Sequence, residues 1–294
     1  IIGIQDLCWA VRKRIALFLC QAMKRVAILG RRSSFHEEAA LAFYQDIPLE
    51  LKGFDSFKKM LAAYDSDEVD AVVIAVENTL SGGLVQNLEL IHAGGYQVVG
   101  EVHIPIHHFL MALPGESLES IREVRSHEMA LYQTRAFFEK NCPGVTYTKT
   151  SSTVAAVQEI VDGQLKGVAA VASRLAAKEF GMEVLAREIE SSKENRTRFF
   201  VLDRYFRPEK ADKASWCFTL PHKAGALAQI LTILSFYEMN LTRIQSLPIP
   251  GCPWEYFFYA DIRFEDSVRY RQALSAVRPL LADLDIMGIY KGSF

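Results

Sequence analysis

The feature that most restricts how this chain can fold is a change of rhythm partway along it. From Lys24 to about Arg204, short apolar runs alternate with amphipathic stretches. The runs Val26–Leu29, Ala71–Val76, Gln97–Val102, Phe109–Ala112 and Gly167–Ala172 read as strands. Helical patterns fill the gaps at Glu37–Tyr44, Ser56–Ala63, Leu84–His92, Glu128–Glu139, Thr153–Gly163 and Ser173–Phe180. Such β-α alternation implies an α/β architecture with largely parallel, buried strands. A polar, proline-bearing stretch, Arg204–Lys213, then reads as a linker. Beyond it the order becomes strand (Ser215–Pro221), helix (Gly225–Glu238), two strands (Leu241–Pro248, Trp254–Phe264), helix (Ser267–Leu281) and strand (Asp285–Lys291). That is the βαββαβ order of a ferredoxin-like unit. Such a unit has a helical face and an open face or edge, and it often completes its burial against a copy of itself.

The chain starts at Ile1, and Met23 opens Met-Lys-Arg-Val-Ala-Ile-Leu-Gly, which reads as the beginning of a folded domain. Residues 1–22 are expected to be an extension outside the fold, a loose amphipathic helix. Arg12, Lys13 and Arg14 before Ile15–Cys20 give a faint likeness to a signal peptide, but the apolar run is short and no small-x-small site follows. The longest apolar runs are about six residues, against roughly 20 for a membrane span, so no membrane partner is expected. With 33 basic and 35 acidic residues, a general polyanion-binding surface, and with it a nucleic-acid partner, is not indicated. The five cysteines, Cys8, Cys20, Cys142, Cys217 and Cys252, form no C-x-x-C pair. Reduced thiols in a cytoplasmic protein are the expectation, with no metal site.

Four segments could carry chemistry. Val76–Leu84 (Val-Glu-Asn-Thr-Leu-Ser-Gly-Gly-Leu) leaves a buried strand and enters a helix. Its glycines permit close backbone approach to a ligand, the helix start offers free N–H groups, and Asn78, Thr79 and Ser81 add neutral donors; a plain capped turn is the alternative. Leu29–Ala40 has the same strand-turn-helix form, with Ser34 as cap or anion donor and Arg31, Arg32 and His36 beside it. Ser126-His127-Glu128 places Ser126 at a helix start, and adjacent Ser and His do not make a nucleophile and base. Asn195-Arg196-Thr197-Arg198 runs directly into the apolar strand Phe199–Leu202, where the chain returns between lobes. Two arginines there suit a dicarboxylate, since the guanidinium fork matches a carboxylate; an exposed basic turn is the alternative. Neither a phosphate loop, nor G-x-G-x-x-G, nor H-E-x-x-H is present. Hydroxyls, amides and arginines at loop ends suit a small polyanionic organic acid.

Taken in order, Gly30–Ala40, Ala75–Leu84, Val99–Ile106, Ser126–Phe138, Val168–Gly181 and Asn195–Leu202 resemble the prephenate dehydratase family. Thr197-Arg198-Phe199 is similar to that family's threonine-arginine-phenylalanine signature, whose threonine is essential. Gly225-Ala226-Leu227, Asn240-Leu241 and Trp254-Glu255-Tyr256 resemble the regulatory ACT domain that follows the catalytic region. The chain departs from the family pattern in three places. Arg31, Arg32 and Ser33 replace a Pro-x-Gly, with His36 where a hydroxyl is common. Ala75-Val76-Glu77-Asn78 stands for Pro-Ile-Glu-Asn, and Gln245-Ser246-Leu247-Pro248 for Glu-Ser-Arg-Pro.

The resemblance implies a two-lobed catalytic region, like type II periplasmic binding proteins, at 24–204. Lobe one holds 24–102 and 183–204, and lobe two holds 103–182. A linker at 205–213 and an ACT domain at 214–294 follow. It implies decarboxylation and dehydration of prephenate to phenylpyruvate with no cofactor. Thr197 would assist the departing hydroxyl. Substrate contacts would come from Ser34, Glu77, Asn78, Thr79, Ser81, Gly82, Ser126, His127, Asn195, Arg198 and Phe199. L-phenylalanine would act as effector at Gly225, Ala226, Leu227, Asn240, Leu241, Gln245 and Ser246, in a homodimer or homotetramer joined through the ACT domain. Arogenate dehydratase and a non-catalytic, amino-acid-responsive binding module are the alternatives.

Overall fold

In a computed structural model, residues 23–249, 251–252 and 254–293 are described. The expected amphipathic helix within 1–22, with Cys8 and Cys20, lies outside the described residues. Three sheets organise the rest. The first contains β1 (Lys24–Leu29), β2 (Leu49–Phe54), β3 (Ala71–Asn78), the two-residue β4 (Gly82–Gly83), β5 (Val98–Pro105) and β11 (Arg196–Asp203). Its order is β2-β1-β3-β11-β5, with β4 folded back on β3. The second contains β6 (Phe109–Ala112), β7 (Glu123–Ser126), β8 (Thr146–Lys149), β9 (Val168–Ala172) and β10 (Glu183–Ala186), in the order β10-β6-β9-β7-β8. The third contains β12 (Lys213–Thr219), β13 (Asn240–Pro248), β14 (Tyr256–Arg263) and β15 (Asp283–Tyr290), fully antiparallel in the order β13-β14-β12-β15.

The helices are α1 (Phe35–Tyr44), α2 (Phe57–Asp65), α3 (Val85–Ala93), α4 (Glu128–Asn141), α5 (Thr153–Gly163) and α6 (Arg174–Glu179), then α7 (Ala226–Phe236) and α8 (Ser267–Val277) in the tail. Most begin where a side chain accepts from an early backbone N–H, satisfying a donor that the helix itself leaves free. Ser34, Ser56, Ser152, Ser173 and Asp266 do this in turn.

The first two sheets correct the expectation of largely parallel strands. β1 pairs in parallel with β2 and β3, but the returning β11 inserts antiparallel between β3 and β5. In the second sheet β6 is antiparallel to both β9 and β10. The lobe limits shift as well. β5 continues in the first sheet to Pro105, and Glu183–Ala186 pairs in the second. The chain rejoins the first sheet only at Arg196. No helix among the described residues is long and apolar enough to cross a membrane.

Strand alternation explains how the tail docks. Ala214, Trp216, Phe218, Ala260 and Ile262 face α7 and α8 and form the tail's own core. Their neighbours Cys217, Tyr259, Met287 and Tyr290 face the other way, into one cluster with Val72, Ile74, Val76, Phe200 and Leu202 of the first sheet. The open face of the ferredoxin-like sheet is therefore covered by the same chain rather than by a second copy. The approach is close. A Cβ on Gly288 of β15 would lie 2.1 Å from the Val98 carbonyl oxygen of β5.

Candidate active site

A cleft of about 980 Å³ opens between the first two sheets. Three helices start on its wall, and their caps Ser34 (α1), His127 (α4) and Ser152 (α5) all line it. A helix start presents unpaired N–H groups and the positive end of the helix dipole, so the three ends suit an anion with more than one charged group. Arg31 and Lys59 are cations on the same wall. Ser34 accepts from Glu37 N, which leaves its hydroxyl proton free to donate.

Thr197 lies at the floor, opposite Asn78 across β11 and β3. Asn78 is the hub. Its Oδ1 accepts from the backbone N–H groups of Leu80 and Ser81, both at 3.0 Å. Backbone N–H groups can only donate, so this fixes the amide's orientation. Nδ2 then donates to Asn195 Oδ1 (2.8 Å), Arg196 O (3.2 Å) and Thr197 Oγ1 (3.0 Å). The same logic carries onward: Asn195 Nδ2 donates to Gln133 Oε1 at 3.1 Å, and His108 Nε2 donates to that oxygen at 2.8 Å. Thr197 Oγ1 is thus held as an acceptor from Asn78, which leaves its proton free to donate, on a side chain that lines the cleft.

Two histidines on the cleft wall have their pKa lowered by burial. His36, in the first turn of α1, sits edge-on to Phe199 with centroids 4.9 Å apart. Burial pulls its pKa down to about 3, and its Nε2 has no polar partner. His108 is buried, and desolvation lowers its pKa as well. The turn before α1 explains a departure from the family pattern. Ser33 adopts a left-handed backbone, φ 65°, a conformation that glycine occupies without strain. Its hydroxyl bonds Glu179 of α6, and its carbonyl accepts from Ser173 Oγ at 2.7 Å, tying the first lobe to the second across the cleft.

The proposed site residues separate by position. Ser34, Asn78, Ser81, His127, Thr197 and Phe199 line the cleft. Asn195 is buried behind Asn78. Thr79 bonds Glu194 O at 2.8 Å and accepts from Arg196 N, stapling β3 to β11. Gly82, φ 80°, makes the tight reversal into β4.

Three assignments need correction. Ser126 is wholly buried at the end of β7, its hydroxyl spent on Val171 O at 2.6 Å, and His127 caps the helix instead. Arg198 follows the cleft-facing Thr197 by one position, so strand alternation turns it to the opposite face, and the register shift in β3 between Ala75 and Glu77 sets Glu77 opposite Arg198. There Arg198 meets Glu101, Asp261 and Tyr290, with Glu77 Oε2 at 3.5 Å. Substrate charge is therefore not met by Arg198.

Residues missed in the sequence include Gln133, His108 and the run Ser151-Ser152-Thr153, all on the cleft wall. The hydroxyl run before a helical pattern was a readable signal. Gln133 and His108 reach the site through tertiary contacts that leave no local pattern.

In the tail, Gly225 holds φ 79° at the start of α7. Leu227 and Leu241 pack into the tail core. Ser246 stands opposite Phe258, which stands opposite Phe218, so Gln245 and Ser246 lie at the end of the sheet where β12 leaves for α7. Asn240, opposite Arg263 and Lys213, lies at the other end. One chain therefore does not bring all the proposed effector residues together. Gln245 faces the first lobe, accepting from Arg243 Nη2 at 2.7 Å.

Comparisons with known proteins agree over most of the chain. The family model described as prephenate dehydratase matches residues 26–206. The bifunctional chorismate mutase/prephenate dehydratase of Aquifex aeolicus is 31% identical over 268 residues, covering 90% of this chain and 73% of that one. Arogenate dehydratase 5, chloroplastic, of Arabidopsis thaliana is 33% identical over 288 residues, covering 90% and 67%. Among solved structures, a prephenate dehydratase in complex with L-Phe from Arthrobacter aurescens aligns with TM-score 0.79 and 27% identity, over 91% of this chain and 90% of that one. A protein described as a novel type of quorum-quenching acylase, GqqA, aligns with TM-score 0.82 and 25% identity, over 92% and 98%.

Proposed function

The chain belongs to the prephenate dehydratase family, and from that premise we propose that it converts prephenate to phenylpyruvate. One carboxylate of the dianion leaves as CO2, its electron pair moves into the ring, and the ring hydroxyl departs. One proton must reach that oxygen to make water. The observation that supports this reading is the Asn78 Nδ2 to Thr197 Oγ1 bond at 3.0 Å, which leaves the threonine proton free to donate at the cleft wall. Thr197 supplies the proton to the departing oxygen and regains one from solvent. The helix ends at Ser34, His127 and Ser152, with Arg31 and Lys59, hold the dianion. Neutral His36 and the apolar Phe199 keep the reacting ring away from fixed positive charge, so the carboxylate that must leave is not over-stabilised.

The test is turnover by the purified protein. Prephenate should yield phenylpyruvate. The identity to an arogenate dehydratase favours a second reading, in which arogenate yields phenylalanine. Formation of neither product refutes both and leaves a binding module.

For the tail we propose an ACT-type sensor for L-phenylalanine, in a cytoplasmic homodimer or homotetramer. The ferredoxin-like order and the relative solved with L-Phe support it. Exposed Ile244 and Tyr256 on the β13–β14 side offer a surface for a second copy, which would bring Asn240 of one chain near Gly225 of the other. Titration with phenylalanine should inhibit turnover; no change at millimolar effector refutes the sensor.

A further inference from the structure

The strongest cluster of charges outside the cleft joins the strand that carries Thr197 to the tail. Arg198 Nε donates to Glu101 Oε2 at 2.7 Å, Nη1 pairs with Asp261 of β14, and Nη2 donates to Tyr290 OH of β15 at 3.2 Å. Its guanidinium also lies over the Phe200 ring, 4.7 Å from the centroid. Asp261 takes a further bond from Ser215 of β12, and Glu101 is held by Lys213 Nζ at 2.9 Å and 3.0 Å. Arg198, Asp261, Glu101 and Lys213 are all buried, two charges of each sign. Isolated buried charges are costly, and breaking one partner of such a set leaves the other uncompensated.

A second contact reaches the cleft from the same tail hairpin. Arg243 pairs opposite Asp261 across β13 and β14. A Cβ on Gly83 would lie 2.6 Å from both Arg243 Nη2 and Gln245 Oε1. Gly83 is the end of the turn that starts at Asn78 and carries Ser81. Both elements that line the cleft floor, β11 and the β3–β4 turn, thus rest on neighbouring residues of one tail hairpin.

We propose that Asp261 is a positioning residue for turnover: by holding Arg198 it fixes the backbone of the preceding residue, Thr197, so that movement of the β13–β14 hairpin reaches the proton donor directly. The inference rests on the dehydratase reading and names how the tail acts on that site. Neither Asp261 nor Arg198 touches substrate. A displacement near 1 Å at a reacting group costs about a hundredfold in rate, so small movement suffices.

The experiment compares the parent chain with Asp261→Asn, Asp261→Glu, Thr197→Val and the double variant Asp261→Asn/Thr197→Val. Asp261→Asn should lower kcat by about tenfold to a hundredfold with KM changed far less, and Asp261→Glu should recover part of the loss. In the Thr197→Val background Asp261→Asn should add little, because the group it positions is already gone. Amide exchange, which needs no turnover, should rise in peptides covering 195–200 and 77–84 of Asp261→Asn while a peptide over 26–29 stays protected. A folded Asp261→Asn with parental kcat overturns the proposal, as does a kcat loss that simply multiplies with that of Thr197→Val. Unchanged exchange in both cleft peptides also overturns it. If Asp261→Asn does not fold, Arg243→Gln at the edge of the network takes its place: a lowered kcat and raised exchange at 77–84 support the coupling, and parental values refute it. Parental protein inactive on both prephenate and arogenate would refute the dehydratase reading, while the exchange result still decides the coupling.

Discussion

Replacing Asn78 with aspartate tests the orientation of the Thr197 hydroxyl while changing almost no volume. The acceptor half of the side chain survives, because Oδ1 still receives Leu80 N and Ser81 N. The donor half becomes an oxygen facing Asn195 Oδ1, Arg196 O and Thr197 Oγ1. Thr197 then turns its proton onto the new carboxylate, away from the cleft. The Asn195 amide flips to donate, which sets its oxygen against Gln133 Oε1, so Gln133 and the His108 tautomer must follow. The Arg196 carbonyl cannot flip and stays repelled. It keeps the Thr79 N–H at 2.9 Å, so what is lost is one hydrogen bond, a stability cost of about 0.5–1.5 kcal/mol. Loss of the proton donor should cost about 10²- to 10⁴-fold in kcat, or about 3–5 kcal/mol of barrier. Steady-state phenylpyruvate formation by Asn78→Asp and by parent, at matched folded fraction, reads the kinetic loss, and denaturant unfolding reads the stability cost. Because the introduced carboxyl can donate again once protonated, the deficit should shrink as pH falls. An Asn78→Asp kcat within about threefold of parent at neutral pH would refute the assignment of the threonine proton.

Two further outcomes follow from burial. His36 has its folded pKa at about 3, below an unfolded value of about 6.5. The folded state binds fewer protons, so this stability is present above about pH 6.5 and is lost progressively as pH falls toward the folded value. Glu38, pushed up to about 7 by burial, works in the opposite sense, losing stability as pH rises from about 4.5 to 7. Comparing unfolding of His36→Gln with parent isolates the histidine: the variant should lose less stability between about pH 6 and 4, and parallel curves would contradict the burial argument. For the tail, Gly288→Ala places a methyl 2.1 Å from the Val98 carbonyl oxygen, and backbone cannot yield as a side-chain tip can. It should destabilise by about 1–3 kcal/mol and speed proteolysis in the 205–212 segment; parental stability and cleavage would refute close docking.

How much was legible can be judged strand by strand. The change from β-α alternation to βαββαβ was visible because helices and strands have different apolar periods. β2, Leu-Glu-Leu-Lys-Gly-Phe, carried an alternating pattern and could have been read. β7 and β8, four residues each with polar side chains, could not. Antiparallel insertion of β11 depends on a partner far along the chain, which no local pattern encodes. The position of Arg198 was within reach: once Thr197–Val201 is a strand, Thr197 and Phe199 must share a face that Arg198 does not. Charge complementarity to a dianion argued for the wrong face. The tail also carried a hint. Phe257, Phe258, Tyr259 and Ala260 are apolar without alternation, as a strand buried on both sides should be. That points to a partner on the open face, and the partner is the first sheet of the same chain.

The account stands on Thr197 as proton donor, and Thr197→Val tests it most directly. Valine keeps the β-branched shape that the strand favours and removes only the hydroxyl. Asn78 Nδ2 keeps Asn195 Oδ1 and Arg196 O as acceptors, so folding should change little. The prediction is a kcat on prephenate lowered by about 10²-fold or more with the thermal midpoint nearly unmoved. Turnover within about tenfold of parent would contradict it.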